Sequence, residues 1–184
     1  LGECADGVCF VCHPDSDCNG TGVQRTITDT TTHQRPVPNT KDFSEDEIID
    51  GINALVQVLA EGGRAEFLAY ILVGALRKHR KSTLIQSHCL SVIKDLCNDS
   101  QVNRFAMGTA GISEDLVRIL LEHRECALIQ SHCLSIVRDL CKNSSGNRSA
   151  MMRAGLSEDL FRTLKTHTQD PVILEHGCAI IWSL

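Results

Sequence analysis

LIQSHCLSVIKDLC, residues 84–97, returns as LIQSHCLSIVRDLC at residues 128–141: eleven of fourteen positions are identical, and the other three exchange like for like (Val92/Ile136, Ile93/Val137, Lys94/Arg138). A second pair of blocks keeps the same 44-residue offset. AGISEDLVRILLEH at 110–123 and AGLSEDLFRTLKTH at 154–167 share nine of fourteen residues. Two blocks tied to one offset are a fold signal, because a period of about 40–47 residues belongs to stacked helical units. Such a unit cannot bury its apolar face alone, so neighbours stack into a solenoid. RKHRKSTLIQSHC at 77–89 also parallels LEHRECALIQSHC at 121–133. This carries the pattern back to a degenerate first unit. The units are expected at about 40–83, 84–127, 128–171 and, incompletely, 172–184.

Local signals divide each unit into helices. Phe43-Ser44-Glu45-Asp46-Glu47 reads as a helix start, with Ser44 and Glu47 spaced as a capping box. Ile48, Ile49, Ile52, Leu55, Val56 and Leu59 follow at helical spacing, and Gly62-Gly63 ends the run. A second helix is expected over Ala65 to His79. In the clearer units a helix over IQSHCLSVIKDLC leads to a polar loop, NDSQ at 98–101 or KNSSG at 142–146. A short helix then leads to Gly111 or Gly155, and a second long helix starts there. Ser113 and Ser157 read as its caps, with Glu114-Asp115 and Glu158-Asp159 placed to favour the helix dipole.

These blocks resemble the armadillo repeat, whose three helices look like ENRxxxxxAG, GIPxLVxLL and VQExALWALSNLA. VNRFAMGTAG, ISEDLVRILL and LIQSHCLSVIKDLC fill those slots, and NRSAMMRAG, LSEDLFRTLK and LIQSHCLSIVRDLC fill them again. VILEHGCAIIWSL at 172–184 resembles the third-helix motif, and the resemblance covers about 40–184. The related HEAT repeat is the competing assignment. The resemblance implies an all-α, right-handed α-solenoid that binds other proteins without catalysis. In the importin type, a Trp and an Asn four residues on line a peptide groove on the third helices. Here the Trp slot holds Ser91, Ser135 and Ala179, and the Asn slot holds Asp95, Asp139 and Ser183. An importin-like clamp is therefore not expected. Asp95 and Asp139, beside Lys94 and Arg138, are candidates for reading a basic segment or for pairing within the chain, and Trp182 is a candidate packing or rim residue.

Residues 1–42 read as an extended arm: a Cys cluster, then TDTTTHQRPVPNT with Pro36 and Pro38. Cys4, Cys9, Cys12 and Cys18, or three of them with His13, suit zinc, which soft thiolates hold in a tetrahedral shell. Two disulfides and free thiols are the alternatives. CADGVCFVC resembles the cluster loop of plant-type ferredoxins, which implies a [2Fe–2S] site. The sheet that surrounds such a loop, and its distant fourth Cys, are not expected here. DSDCNGTG at 15–22 matches the start of a calcium loop, but Thr26 stands where a bidentate Glu is needed, so a polar turn is expected.

The remaining composition narrows the function. Net charge is −5, from 18 basic and 23 acidic residues, with no long basic run, so nucleic acid is a poor partner. No apolar run reaches the ~20 residues that span a bilayer. FLAYILVGAL at 67–76 reads instead as a buried helix. The chain begins at Leu1 without an initiator Met or leader and reads as a piece of something longer. Cys89/Cys133 and Cys97/Cys141 repeat in register, as buried structural thiols would. Thiols kept this way suggest a reducing compartment, cytoplasmic or inside an organelle. The sequons at Asn19, Asn98, Asn143 and Asn147 point the other way, but three lie in inter-helix loops where Asn and Ser collect. His79/His123/His167 and His88/His132/His176 are also in register, hence structural. The expected role is a scaffold or accessory subunit of a multiprotein assembly. The alternatives are an adaptor for basic peptides, or a metal or redox protein acting through the N-terminal cysteines.

Overall fold

The computed structural model describes residues 43–98 and 100–184, and the chain divides by its contacts into Leu1–Lys41 and Asp42–Leu184. The expected arm, with Cys4, Cys9, Cys12, Cys18 and His13, the calcium-like loop and Asn19, lies outside the described residues. The second unit is all-α: α1 (Glu45–Ala60), α2 (Ala65–Lys78), α3 (Thr83–Asn98), α4 (Gln101–Thr109), α5 (Ile112–Glu122), α6 (Ala127–Cys141), α7 (Ser145–Arg153), α8 (Leu156–Thr166) and α9 (Pro171–Ser183).

Each start has a local cause. Glu47 N–H donates to Ser44 Oγ at 3.2 Å and Ser44 N–H to Glu47 Oε2 at 2.8 Å, the expected capping box. Ser100 and Ser144 cap α4 and α7 alike, each accepting from the N–H three residues on at 3.2 Å. Asp170 accepts from Val172 and Ile173 N–H, and Pro171 follows at the first helical position, where a missing N–H costs nothing.

The caps of α5 and α8 are not the serines. Gly111 (φ 75°) and Gly155 (φ 96°) hold those positions in the left-handed region, which glycine enters without a Cβ penalty. The chain reverses so tightly there that Ser113 already lies inside α5, buried. Ser157 lies inside α8 and donates to Met152 Sδ at 3.4 Å.

The first repeat, at about 40–83, departs from the other two in having no short helix among its described residues. The positions matching Ser100, Asn103 and Arg104 are Val56, Leu59 and Ala60. With no capping Ser to break the helix, α1 runs on to Ala60, and Gly62 (φ 104°) turns the chain into α2.

α3 packs on α6 and α6 on α9, while α2 and α5 sit behind them and contact α4 and α7 respectively. The buried core repeats at the offset seen in the sequence: Ile85, Ile129 and Ile173; Cys89 and Cys133; Met107 and Met151; Leu116 and Leu160. Gly177 takes the third Cys89-type position, where an added Cβ would stand 2.4 Å from Leu164 Cδ2. The run 67–76 forms α2, with Leu68, Ala69, Leu72, Val73 and Leu76 buried. Among the described residues no helix is long and apolar enough to cross a membrane.

Candidate functional site

The face made by α3, α6 and α9 carries the groove candidates, and repeat-equivalent residues there differ in exposure. Ser91 is half-buried and Ser135 buried. Lys94 Nζ lies 3.4 Å from Asp95 Oδ1, with the Asp95 side chain 72% exposed. Arg138 Nε donates to Asp139 Oδ1 at 3.0 Å, and the Asp139 side chain is only 7% exposed. Its Oδ2 is buried without a hydrogen-bond partner. Trp182 is 93% exposed at the rim, and Ser183 Oγ donates to Ile180 O at 2.9 Å. Of the two carboxylates, Asp95 alone faces solvent; Asp139 is held within the protein.

The histidines are joined to the same packing. Arg138 Nη1 donates to His176 Nδ1 at 3.0 Å, so that nitrogen is an acceptor and the ring is neutral. Burial, then the Arg138 charge, pushes the His176 pKa down from its ordinary value. His132 is lowered in the same way, by burial and then by Lys94, and its buried Nδ1 has no partner. His88 Nε2 lies 3.1 Å from Asn53 Oδ1 on α1. His79, His123 and His167 cap α2, α5 and α8. His123 Nε2–H donates to the Arg80 carbonyl at 3.1 Å, and His167 Nε2–H to that of Arg124 at 2.7 Å. Each thus ties its unit to the preceding one.

Six further structural residues, at three positions of the repeat, went unrecognised in the sequence, although the repeat itself was their signal. Gln86 Nε2 donates to the carbonyls of Leu76 and His79 at 2.9 and 3.1 Å. Gln130 Nε2 does so to Leu120 and His123, both at 3.0 Å. These satisfy the last turns of α2 and α5, whose carbonyls have no helical partner. Asn103 and Arg104 close α3 through the carbonyls of Leu96 and Cys97, at 2.9 and 2.7 Å. Asn147 and Arg148 close α6 through Leu140 and Cys141, at 2.8 and 2.9 Å. The Asn147 amide is thereby committed to the fold.

The buried Cys89, Cys97, Cys133 and Cys141 are held as thiols. Burial raises Cys89 and Cys97 to about 12 and Cys141 to about 11, and it raises Cys133 as well. A thiolate is the nucleophile, so these positions are poorly suited to attack. Behind the groove face, Arg77 Nε donates to the buried Asp115 at 2.9 Å, and Arg118 Nη1 to Glu122 at 2.7 Å. Arg80 also pairs with Glu122, and that hydrogen bond holds the Glu122 carboxyl below its ordinary value. Among the described residues no group of three His, Cys, Asp or Glu side chains converges as a metal site.

Against models of known protein families, curated proteins and solved structures, the chain finds no match.

Proposed function

We propose that this chain is a non-catalytic protein-interaction module of the armadillo type, a right-handed α-solenoid serving as scaffold or accessory subunit of a larger assembly. One observation carries the reading: the polar side chains that recur in register are spent on closing helix ends and on joining one unit to the next. His123, His167, Gln86, Gln130, Asn103 and Asn147 all close helix ends or bridge units. Stacking of this kind leaves long helix faces for partners. The N-terminal arm would wrap a neighbour, its cysteines stapled by zinc or disulfides. The buried thiols support a reducing, cytoplasmic or organellar setting. Native purification read by sizing and mass spectrometry tests this. A large species with a fixed set of proteins is expected, and a free chain of the monomer's size would overturn the reading. Removing residues 1–42 should weaken that association.

The exposure of Asp95 favours a second reading, an adaptor that meets basic peptide segments on the α3 face. Asp95→Arg should then abolish binding of a Lys/Arg-rich peptide while the melting temperature stays unchanged. Unaltered affinity would remove this reading and leave the first.

A further inference from the structure

A cleft of about 380 Å³ lies between α4, the end of α6 and the start of α7, away from the groove candidates. Its apolar lining comes from Phe105, Leu140 and Ala150, and its charged lining from Arg104 and Lys142. No carboxylate lines it among the described residues, in a chain whose net charge is −5. Phe105 is 72% exposed. Lys142 is exposed and has no ion pair among the described residues. The floor is tight: a Cβ on Gly108 would stand 2.5 Å from Asn147 Oδ1, so α4 and α7 meet there almost backbone to side chain.

The repeat shows which of these residues the fold requires. Arg104, Leu140, Ser144, Asn147 and Ala150 have identical counterparts one unit away, at Arg148, Leu96, Ser100, Asn103 and Ala106. They form the frame that caps the helices. Phe105, Lys142 and Gly146 do not; their counterparts are Ser149, Asn98 and Val102. An exposed Phe in place of Ser adds nothing to packing and costs solubility. A Gly in place of Val opens the wall beside it. Seven of the twelve lining residues depart from their counterparts, and among them Phe105, Lys142 and Gly146 supply an aromatic platform, an ammonium with no ion pair among the described residues, and a cleared entrance.

We propose that this cleft docks an acidic segment of a partner protein, with an apolar side chain on Phe105 and a carboxylate against Lys142 and Arg104. Charge complementarity selects the occupant, since a basic segment would meet two cations and, among the described residues, no carboxylate. The proposal rests on the protein-binding reading above but uses a different face from Asp95, so the two fail separately.

The test uses the whole chain and a fluorescein-labelled peptide alternating Glu with Leu and Phe, read by anisotropy, beside a version with Lys for Glu. The acidic peptide should bind, and added salt should weaken it. Lys142→Glu and Phe105→Ser, the latter installing the residue the next unit already tolerates, should each cut affinity by about tenfold or more. Circular dichroism melts should match the parent, because both side chains are exposed. Backbone amide shifts on titration should fall on residues 104–109 and 142–150. No binding by the acidic peptide, or equal binding to all three proteins, overturns the proposal. Preference for the Lys peptide also overturns it and directs attention to the α3 face.

Discussion

Gln130 and Gln86 share a position in the repeat and the same two carbonyl partners, yet their side-chain oxygens differ. Thr163 Oγ1 donates to Gln130 Oε1 at 2.7 Å, in a buried setting. Gln86 Oε1 is buried with no partner, because the position matching Thr163 one unit earlier is Ile119. Thr163→Val should therefore turn the Gln130 site into a copy of the Gln86 site. Leaving a buried acceptor unpaired costs about 1–2 kcal/mol, to be read from the urea midpoint at unchanged m. At the same scale, His176 and His132 titrate below the ordinary histidine value, which is 6.5. As pH falls below 6.5 the unfolded chain takes up protons that the folded one resists, so stability falls with pH in that window. Arg138, Lys94, Glu175 and Asp139 are the charges around His176; the two cations oppose protonation and the two carboxylates favour it. Melting temperature should drop on acidification through this range, and His176→Gln should flatten the drop, since an amide can accept from Arg138 without titrating.

Helix ends decide the elements more than their middles do. Gly111 and Gly155 begin α5 and α8 from left-handed backbone, where a side chain costs about 1–2 kcal/mol. A Cβ at Gly155 would meet nothing, and one at Gly111 only Arg77 Nη2 at 3.6 Å. Gly155→Ala should thus lose about 1–2 kcal/mol from backbone strain alone, measured by thermal melt, with helix content at low temperature unchanged. The contrast between Ser44 and Ser113 shows what sequence can tell at this scale. The Ser44–Glu47 box is local, and every partner in it lies within three residues. Ser113 starts the same Ser-Glu-Asp run, with Leu116 where Ser44 has Glu47, but the glycine before it turns the chain two residues earlier and places the serine inside the helix. Asp95 and Asp139 are illegible for another reason. Their local sequence is almost the same, and their exposure is set by neighbours contributed from other units. α3 packs on α6, and Cys97 on α3 is raised first by burial and then by the Asp139 charge on α6. The matching neighbour of Asp95 is α1, whose bounds do not follow the repeat. Where a side chain's surroundings come from its own helix, the pattern reveals them; where they come from the next unit, it does not.

The molecule as a whole poses the question of whether its units share one core or form a chain of neighbours. Contacts within the described residues join adjacent units: α3 to α6, α6 to α9, and α2 to α5. The inter-unit hydrogen bonds follow the same order, His123 reaching back one unit to Arg80 and His167 one unit to Arg124. In such an array stability is a sum of unit terms and nearest-neighbour terms, so damage at one end should stay near that end. Ending the chain at Asp170 removes α9, breaks the Arg138–His176 bond, and takes away the helix that packs on α6. Native-state hydrogen exchange then separates the two architectures. Stacked units predict lost protection in α6 and α8, with α1, α2 and the first half of α3 exchanging as in the full chain. A single shared core predicts faster exchange everywhere by one common factor, since every helix would then open through the same global unfolding. The retention of protection in α2, which packs on α1, α3, α4 and α5 and contributes the deeply buried Leu72 and Leu76, is the reading that decides it.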